Sequence, residues 1–155
     1  MNDEQLMRKA IALSMKNIDE NGGPFGAVIV KDGEIIAHGV NRVTSSLDPT
    51  AHAEVNAIRE ASKKLGTFDL SGCIIYSSCE PCPMCLGAIY WAHLDKLYYA
   101  NTKQNAKDIG FDDSLIYEEI ELPKEKRKIP TIQILNNEAM AAFEKWRIKT
   151  DKIEY

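Results

Sequence analysis

Two short segments carry side chains suited to metal chemistry. His52-Ala53-Glu54 lies in one, and Pro81-Cys82-Pro83-Met84-Cys85 follows about thirty residues on. One imidazole and two thiolates offer three ligands to a zinc ion. A site with three protein ligands keeps its fourth position open for water. Glu54 sits two residues from the histidine and is free to move that water's protons. The implied chemistry is hydrolysis at a metal-activated hydroxide. The expected cofactor is one Zn²⁺ per chain, held by His52, Cys82 and Cys85, with Glu54 as the catalytic acid–base group.

The spacing fits that reading. Pro83 suits the first position of a helix, which places Cys82 at the N-cap and Cys85 one turn later on the same face. The positive end of the helix dipole favours thiolate at both. His52 follows the helix-start signal Asp48-Pro49-Thr50. At a first turn, His52 and Glu54 can both curl over the helix end. A lone Cys-x-x-Cys could instead be a redox pair or half of a structural zinc site. A closed structural site needs a fourth ligand, and the candidates are Cys73, Cys79, His38 and His93. Cys79 is the strongest rival, three residues before Cys82. Cys73 opens an apolar run and reads as core, His38 lies on a strand-like segment, and His93 closes a helix.

The elements that must position these groups alternate between helix and strand. Leu6, Met7, Ala10, Ile11, Ser14, Met15 and Ile18 mark an amphipathic helix. Residues 25–30 and 35–40 read as strands around Asp32-Gly33, a hairpin signal. Residues 51–65 form a helix, 73–77 a buried strand, 82–93 a helix and 96–100 a strand. Residues 129–135 are predicted as a fifth strand, and 136–153 as a final helix with Met140, Phe143 and Trp146 on its apolar side. The stretch 101–128 is too long for a turn, so the last two strands are predicted to run parallel across a helical crossover. The expected architecture is a three-layer α/β/α domain over residues 1–155 with a five-stranded mixed sheet.

Composition restricts the partners. The chain has 155 residues, 45% hydrophobic and 27% charged, which is ordinary for a soluble globule. No run reaches transmembrane length, and the polar N-terminus lacks a signal peptide's apolar core. Three of the four cysteines crowd between 79 and 85, which suits a metal site in a reducing cytoplasm better than a secreted disulfide frame. The formal net charge is −4, and the densest basic run, 124–128, contains Glu125. Nucleic-acid affinity depends heavily on Lys and Arg meeting phosphates. The balance favours a small neutral substrate over nucleic acid or a membrane.

His-x-Glu followed by Pro-Cys-x-x-Cys is the signature of zinc-dependent nucleobase deaminases. The strings from Gly22 to Val30, Asp48 to Glu54 and Ser78 to Ile89 resemble the cytidine deaminase-like superfamily. Phe111-Asp112-Asp113-Ser114, the stretch Ala142 to Trp146 and the terminal Glu154-Tyr155 resemble the bacterial guanine deaminases within it. The resemblance spans essentially the whole chain. It implies conversion of guanine to xanthine and ammonia. It implies that Asn41 reads the purine edge, that Phe25 and Trp91 sandwich the ring with Ala53 in the same pocket, and that Asp113 contacts substrate N–H groups and assists proton transfer. Sequence alone does not decide between Asp112 and Asp113. Arg42 and Leu47 depart from that pattern near the pocket rim. The resemblance further implies a homodimer whose C-terminal segments, residues 136–155, cross between subunits so that Tyr155 covers the neighbouring site. Rival readings are a deaminase of tRNA adenosine, cytosine or guanosine, or a non-catalytic zinc-stabilised module.

Overall fold

The computed structural model describes all 155 residues. The chain divides into two compact units, Met1–Asp113 and Ser114–Tyr155.

The first unit is built on a four-stranded sheet in the order β2-β1-β3-β4, comprising β1 (Gly26–Lys31), β2 (Glu34–Val40), β3 (Cys73–Cys79) and β4 (Lys96–Asn101). Strand β1 is antiparallel to β2 and β3, and β3 and β4 run parallel. Asp32 and Gly33 both take positive φ, 51° and 81°, as the tight β1–β2 hairpin requires.

Successive strand residues face opposite sides of a sheet, and here both sides are covered. On one side, Val28, Val30 and Tyr76 pack with Leu6 and Ala10 of helix α1 (Asp3–Asp19). On the other, Ala27, Ile29, Cys73 and Ile75 pack with Ala53, Ala57 and Ala61 of α2 (Ala53–Leu65) and Ile89 of α3 (Pro83–Trp91). The unit therefore has the expected three layers. The α2 contact is made of small residues. A side chain on Gly39 would run into the Ala53 carbonyl and come within 2.5 Å of the Ala57 nitrogen. Glycine at 39 is what lets α2 lie this close to β2.

Helix α1 is also tied by its first residue. Asp3 accepts hydrogen bonds from Tyr76 (2.7 Å) and Tyr98 (3.0 Å), whose rings stack with centroids 4.8 Å apart. A short helix, α4 (Lys103–Asp108), follows β4 from a Thr102 capping box.

The second unit holds α5 (Ser114–Glu121), a 3₁₀ turn (Lys124–Lys126) and α6 (Asn136–Ile148). The stretch 101–128 does hold helices, but it leads to no further strand, so the expected parallel pairing of 96–100 with 129–135 is not made. The predicted fifth strand is not formed: residues 129–135 join no ladder, and the sheet has four strands, not five. Ile129, Ile132 and Ile134 are 79%, 80% and 75% exposed. A strand needs a partner for its backbone groups as well as suitable side chains, and residues 129–135 have none within the chain. No residue of α5 or α6 is buried.

Candidate active site

The helix-start signals act as the sequence suggests. Asp48 Oδ1 accepts from the Thr50 backbone (2.9 Å) and hydroxyl (2.7 Å), turning the chain into α2 with His52 as N-cap. Cys82 is the N-cap of α3, with Pro83 at its start. Neither side chain makes a capping hydrogen bond at its helix start, which leaves imidazole and thiolate to meet across the site. They point at each other: His52 Nδ1 lies 3.5 Å from Cys82 Sγ and 3.4 Å from Cys85 Sγ.

That triangle has the dimensions of a zinc site. Tetrahedral zinc, with bonds of about 2.0–2.1 Å to nitrogen and 2.3 Å to sulfur, sets N···S edges of about 3.5 Å. His52, Cys82 and Cys85 form the chain's only cluster of three potential ligands within 4.8 Å of one another. The electrostatics also suit a cation. Cys82 is brought down to about 4, chiefly by the hydrogen bond from Cys85, with His52 helping and burial opposing. The Cys85 thiol is pushed up by that shared bond and by burial. His52 is raised by its bond to Cys82. Zinc binding would displace the protons these groups share.

Cys79 does not join the triangle. Its Sγ faces the Thr102 carbonyl at 3.8 Å, and burial, with the charge of Glu54, pushes its thiol up to about 11. Cys73 is fully buried in the core, as expected.

Glu54 is 5% exposed and sits in the first turn of α2. Its Oε1 accepts from the Ser77 hydroxyl at 2.6 Å. The remaining pocket residues converge on the same end of the sheet. Gly26 N donates to Ser78 Oγ (3.0 Å), and Asn41 N donates to the Phe25 carbonyl (3.2 Å). Asn41 Oδ1 accepts from Val43 N. Its backbone carbonyl is braced by buried Asn17, whose Nδ2 donates both to Asn41 O (2.9 Å) and to Gly23 O (2.8 Å). Phe25 meets Phe111 edge-on at 4.9 Å. Ala53 is fully buried. Asp112 and Asp113 diverge: Asp112 lies 3.9 Å from Lys107, whereas burial pushes the Asp113 carboxyl up, with the Cys82 charge adding to the shift.

Trp91 lies at the other end of α3 from Cys82. It ends α3, nine residues from Cys82 and roughly 13 Å along the helix, near the opening of β3, and it is 67% exposed. Leu47, at φ 49°, is 90% exposed. Arg42 lines a cleft of about 270 Å³ with Leu13, Asn17, His38, Asn56 and Glu60, which none of the three ligand residues lines. Tyr155 ends the second unit, 76% exposed.

Sequence reading missed Ser77, Asn17 and Phe111. The available signals were a serine in an otherwise apolar strand row and an asparagine on the buried face of α1.

Residues 1–101 match the profile of the cytidine and deoxycytidylate deaminase zinc-binding region, and the chain belongs to that family of zinc-dependent deaminases. Over its full length it is 54% identical to guanine deaminase of Bacillus subtilis, covering 100% of both sequences. The solved structure of the Bacillus subtilis guanine deaminase matches 100% of this chain and 99% of its own, with a TM-score of 0.98. Guanine deaminase of Nitrosomonas europaea matches 72% of this chain and 65% of its own at 37% identity and a TM-score of 0.70. The tRNA-specific adenosine deaminase of Aquifex aeolicus is 39% identical over 64% of this chain and 66% of its own.

Proposed function

We propose that this chain is a zinc-dependent guanine deaminase, converting guanine and water to xanthine and ammonia. The observation that carries this is the likeness to the Bacillus subtilis enzyme through both units, with a ligand triangle of zinc dimensions at its centre. Zinc, when bound by His52, Cys82 and Cys85, supplies Lewis acidity that lowers the pKa of a coordinated water to roughly 7. The chain does the rest. Glu54 takes the proton lost by the water as oxygen bonds to C2, passes it to the adjacent ring nitrogen, and helps protonate the departing amine. General acid–base catalysis of this kind is worth about 10²–10⁴-fold. Asn41 offers amide groups to the purine's carbonyl and N7 edge, Phe25 a ring face, and Ala53 a wall of the pocket. Asp113, whose carboxyl is pushed up by burial and by the Cys82 charge, meets the substrate's N–H groups.

The working form is a homodimer in which residues 136–155 cross to the partner. Three observations support this. Strand β4 is an edge whose Tyr99 is 49% exposed. Residues 129–135 are an unpaired apolar segment, and Phe143 on α6 is 71% exposed. Unpaired edges and exposed apolar runs of this kind mark association surfaces. Trp91, at the far end of α3, then serves the partner's site or the subunit contact. Four free cysteines suit a reducing cytoplasm, and no helix is long and apolar enough to cross a membrane. The net charge of −4 favours a free base over nucleic acid.

Ammonia release from guanine, adenine, cytosine, guanosine and a tRNA tests the reading, with guanine expected to dominate. Turnover of tRNA alone would move the chain to the adenosine deaminases. Deleting residues 151–155 should leave zinc content intact while weakening guanine turnover. Mixing the truncated chain with a Glu54→Gln chain should restore activity after subunit exchange. Absence of complementation, with exchange demonstrated, would place the tail on its own subunit.

A further inference from the structure

We propose that Ser77 is a positioning residue that fixes which oxygen of Glu54 handles protons. The inference rests on the deaminase reading above and deepens it.

The argument starts from strand β3. Alternation puts Cys73, Ile75, Ser77 and Cys79 on the α2 side of the sheet, and Tyr76 and Ser78 on the α1 side. The two serines therefore have separate work. Ser78 Oγ accepts from the Gly26 backbone, a link within the fold. Ser77 continues an apolar row at 1% exposure. A buried hydroxyl costs stability unless it is hydrogen-bonded, so its partners identify its role. They are Glu54 Oε1 at 2.6 Å and the Cys79 carbonyl at 2.7 Å.

Both partners are acceptors, and a serine hydroxyl carries one proton. It cannot donate to both at once. The ionised carboxylate is the stronger acceptor, so the proton points at Oε1 while Glu54 is charged. No Lys, Arg or His forms an ion pair with Glu54. The Cys85 thiol also meets this carboxylate, but the 2.6 Å bond from the Ser77 hydroxyl is the one that fixes Oε1. With Oε1 held, Oε2 is the oxygen left to face the water and the base. Once Oε2 has taken a proton, Oε1 is an uncharged acceptor, and the Cys79 carbonyl can compete for the same hydroxyl. Ser77 keeps a partner in both states and never gives up its own proton. Throughout the cycle, the proton taken from water travels on Glu54 Oε2 to the ring nitrogen.

Three variants test this in the full-length zinc-loaded enzyme: Ser77→Ala, Ser77→Thr and Ser77→Cys. Losing one hydrogen bond to a charged group corresponds to about 10- to 100-fold in rate. Ser77→Ala should lower kcat by about that factor while KM for guanine and zinc per chain stay near wild type. Ser77→Thr, which keeps the hydroxyl, should recover most of kcat, and Ser77→Cys, a weak donor of similar shape, should fall between. A crystal structure of Ser77→Ala should show the Glu54 carboxylate rotated or in several orientations with the ligand triangle unchanged. Equal loss of kcat, zinc and thermal stability would reduce Ser77 to a packing residue and overturn the proposal. So would an unchanged kcat in Ser77→Ala, or an undisturbed Glu54 in its crystal structure. If wild type does not deaminate guanine but acts on another base of the panel, the substrate assignment fails, and the same variants are measured on that base. If wild type deaminates nothing, Glu54 has no proton to carry and the proposal fails with it.

Discussion

A methyl group placed on Gly39 would be felt at the metal. The added Cβ would collide with the Ala53 carbonyl and approach the Ala57 nitrogen to 2.5 Å and the Ala57 Cβ to 2.9 Å. Carbon contacts settle at about 3.5–4.0 Å, so the start of α2 must retreat by on the order of 1 Å. Two of these atoms are backbone and the third is a Cβ fixed to it, so no side-chain rotation relieves the clash. Ala53 directly follows His52, so the retreat opens the N···S edges, now 3.4 and 3.5 Å, beyond what zinc spans. It also withdraws Glu54 from Ser77. Overpacking of this kind costs about 1–3 kcal/mol, or roughly 2–12 °C in Tm for a chain of this size. A misplacement of about 1 Å costs on the order of 10²-fold in rate. Gly39→Ala should therefore lose zinc on dialysis, measured by elemental analysis, and lose kcat/KM by about that factor, with a lowered Tm. Gly87→Ala is the contrast: a Cβ there meets nothing within 4 Å. On α3 it should gain about 0.5–1 kcal/mol and leave zinc untouched. A Gly39→Ala protein with full zinc, wild-type Tm and wild-type turnover would refute the claim that this glycine sets the distance of α2 from the sheet.

Cys85→Ala should abolish stoichiometric zinc, whereas Cys79→Ala should retain it; the opposite result in elemental analysis would exchange their roles. Glu54→Gln should keep fold and zinc but lose nearly all ammonia release, and near-normal turnover would remove Glu54 from the chemistry. The hydrogen bonds from Tyr76 and Tyr98 hold the Asp3 carboxyl below its usual range. Its folded pKa is thus lower than its unfolded one, so its contribution is present above about pH 4 and fades as pH falls through the folded value. The Tm difference between wild type and Asp3→Asn should accordingly be largest near neutrality and shrink in acid; a gap that widens in acid would reverse the sign.

Local chemistry was what the sequence expressed well. Asp48-Pro49-Thr50, Pro83 and Asp32-Gly33 each bias a few adjacent dihedrals, and each marks the cap or hairpin expected of it. The ligand triangle followed because both cysteines share one helix turn and both segments begin helices. Residues 129–135 misled because isoleucine spacing records side-chain suitability and carries no information about which strand supplies the hydrogen bonds. Ser77 was only faintly signalled, because adjacent serines in a strand look the same whether they face a carboxylate or a backbone amide.

The Asp3 latch has a consequence for how the chain is made. Its second donor, Tyr98, lies 95 residues further along the chain. At about 5–20 residues per second, the nascent chain carries α1 without this second bond for roughly 5–20 s before that tyrosine is added. All three metal-ligand residues, with Cys85 the last, are added before it. Synthesis thus orders the residues: Tyr76 and the ligands first, then the second donor to the amino-terminal helix, and only afterwards the residues from Ser114 onward.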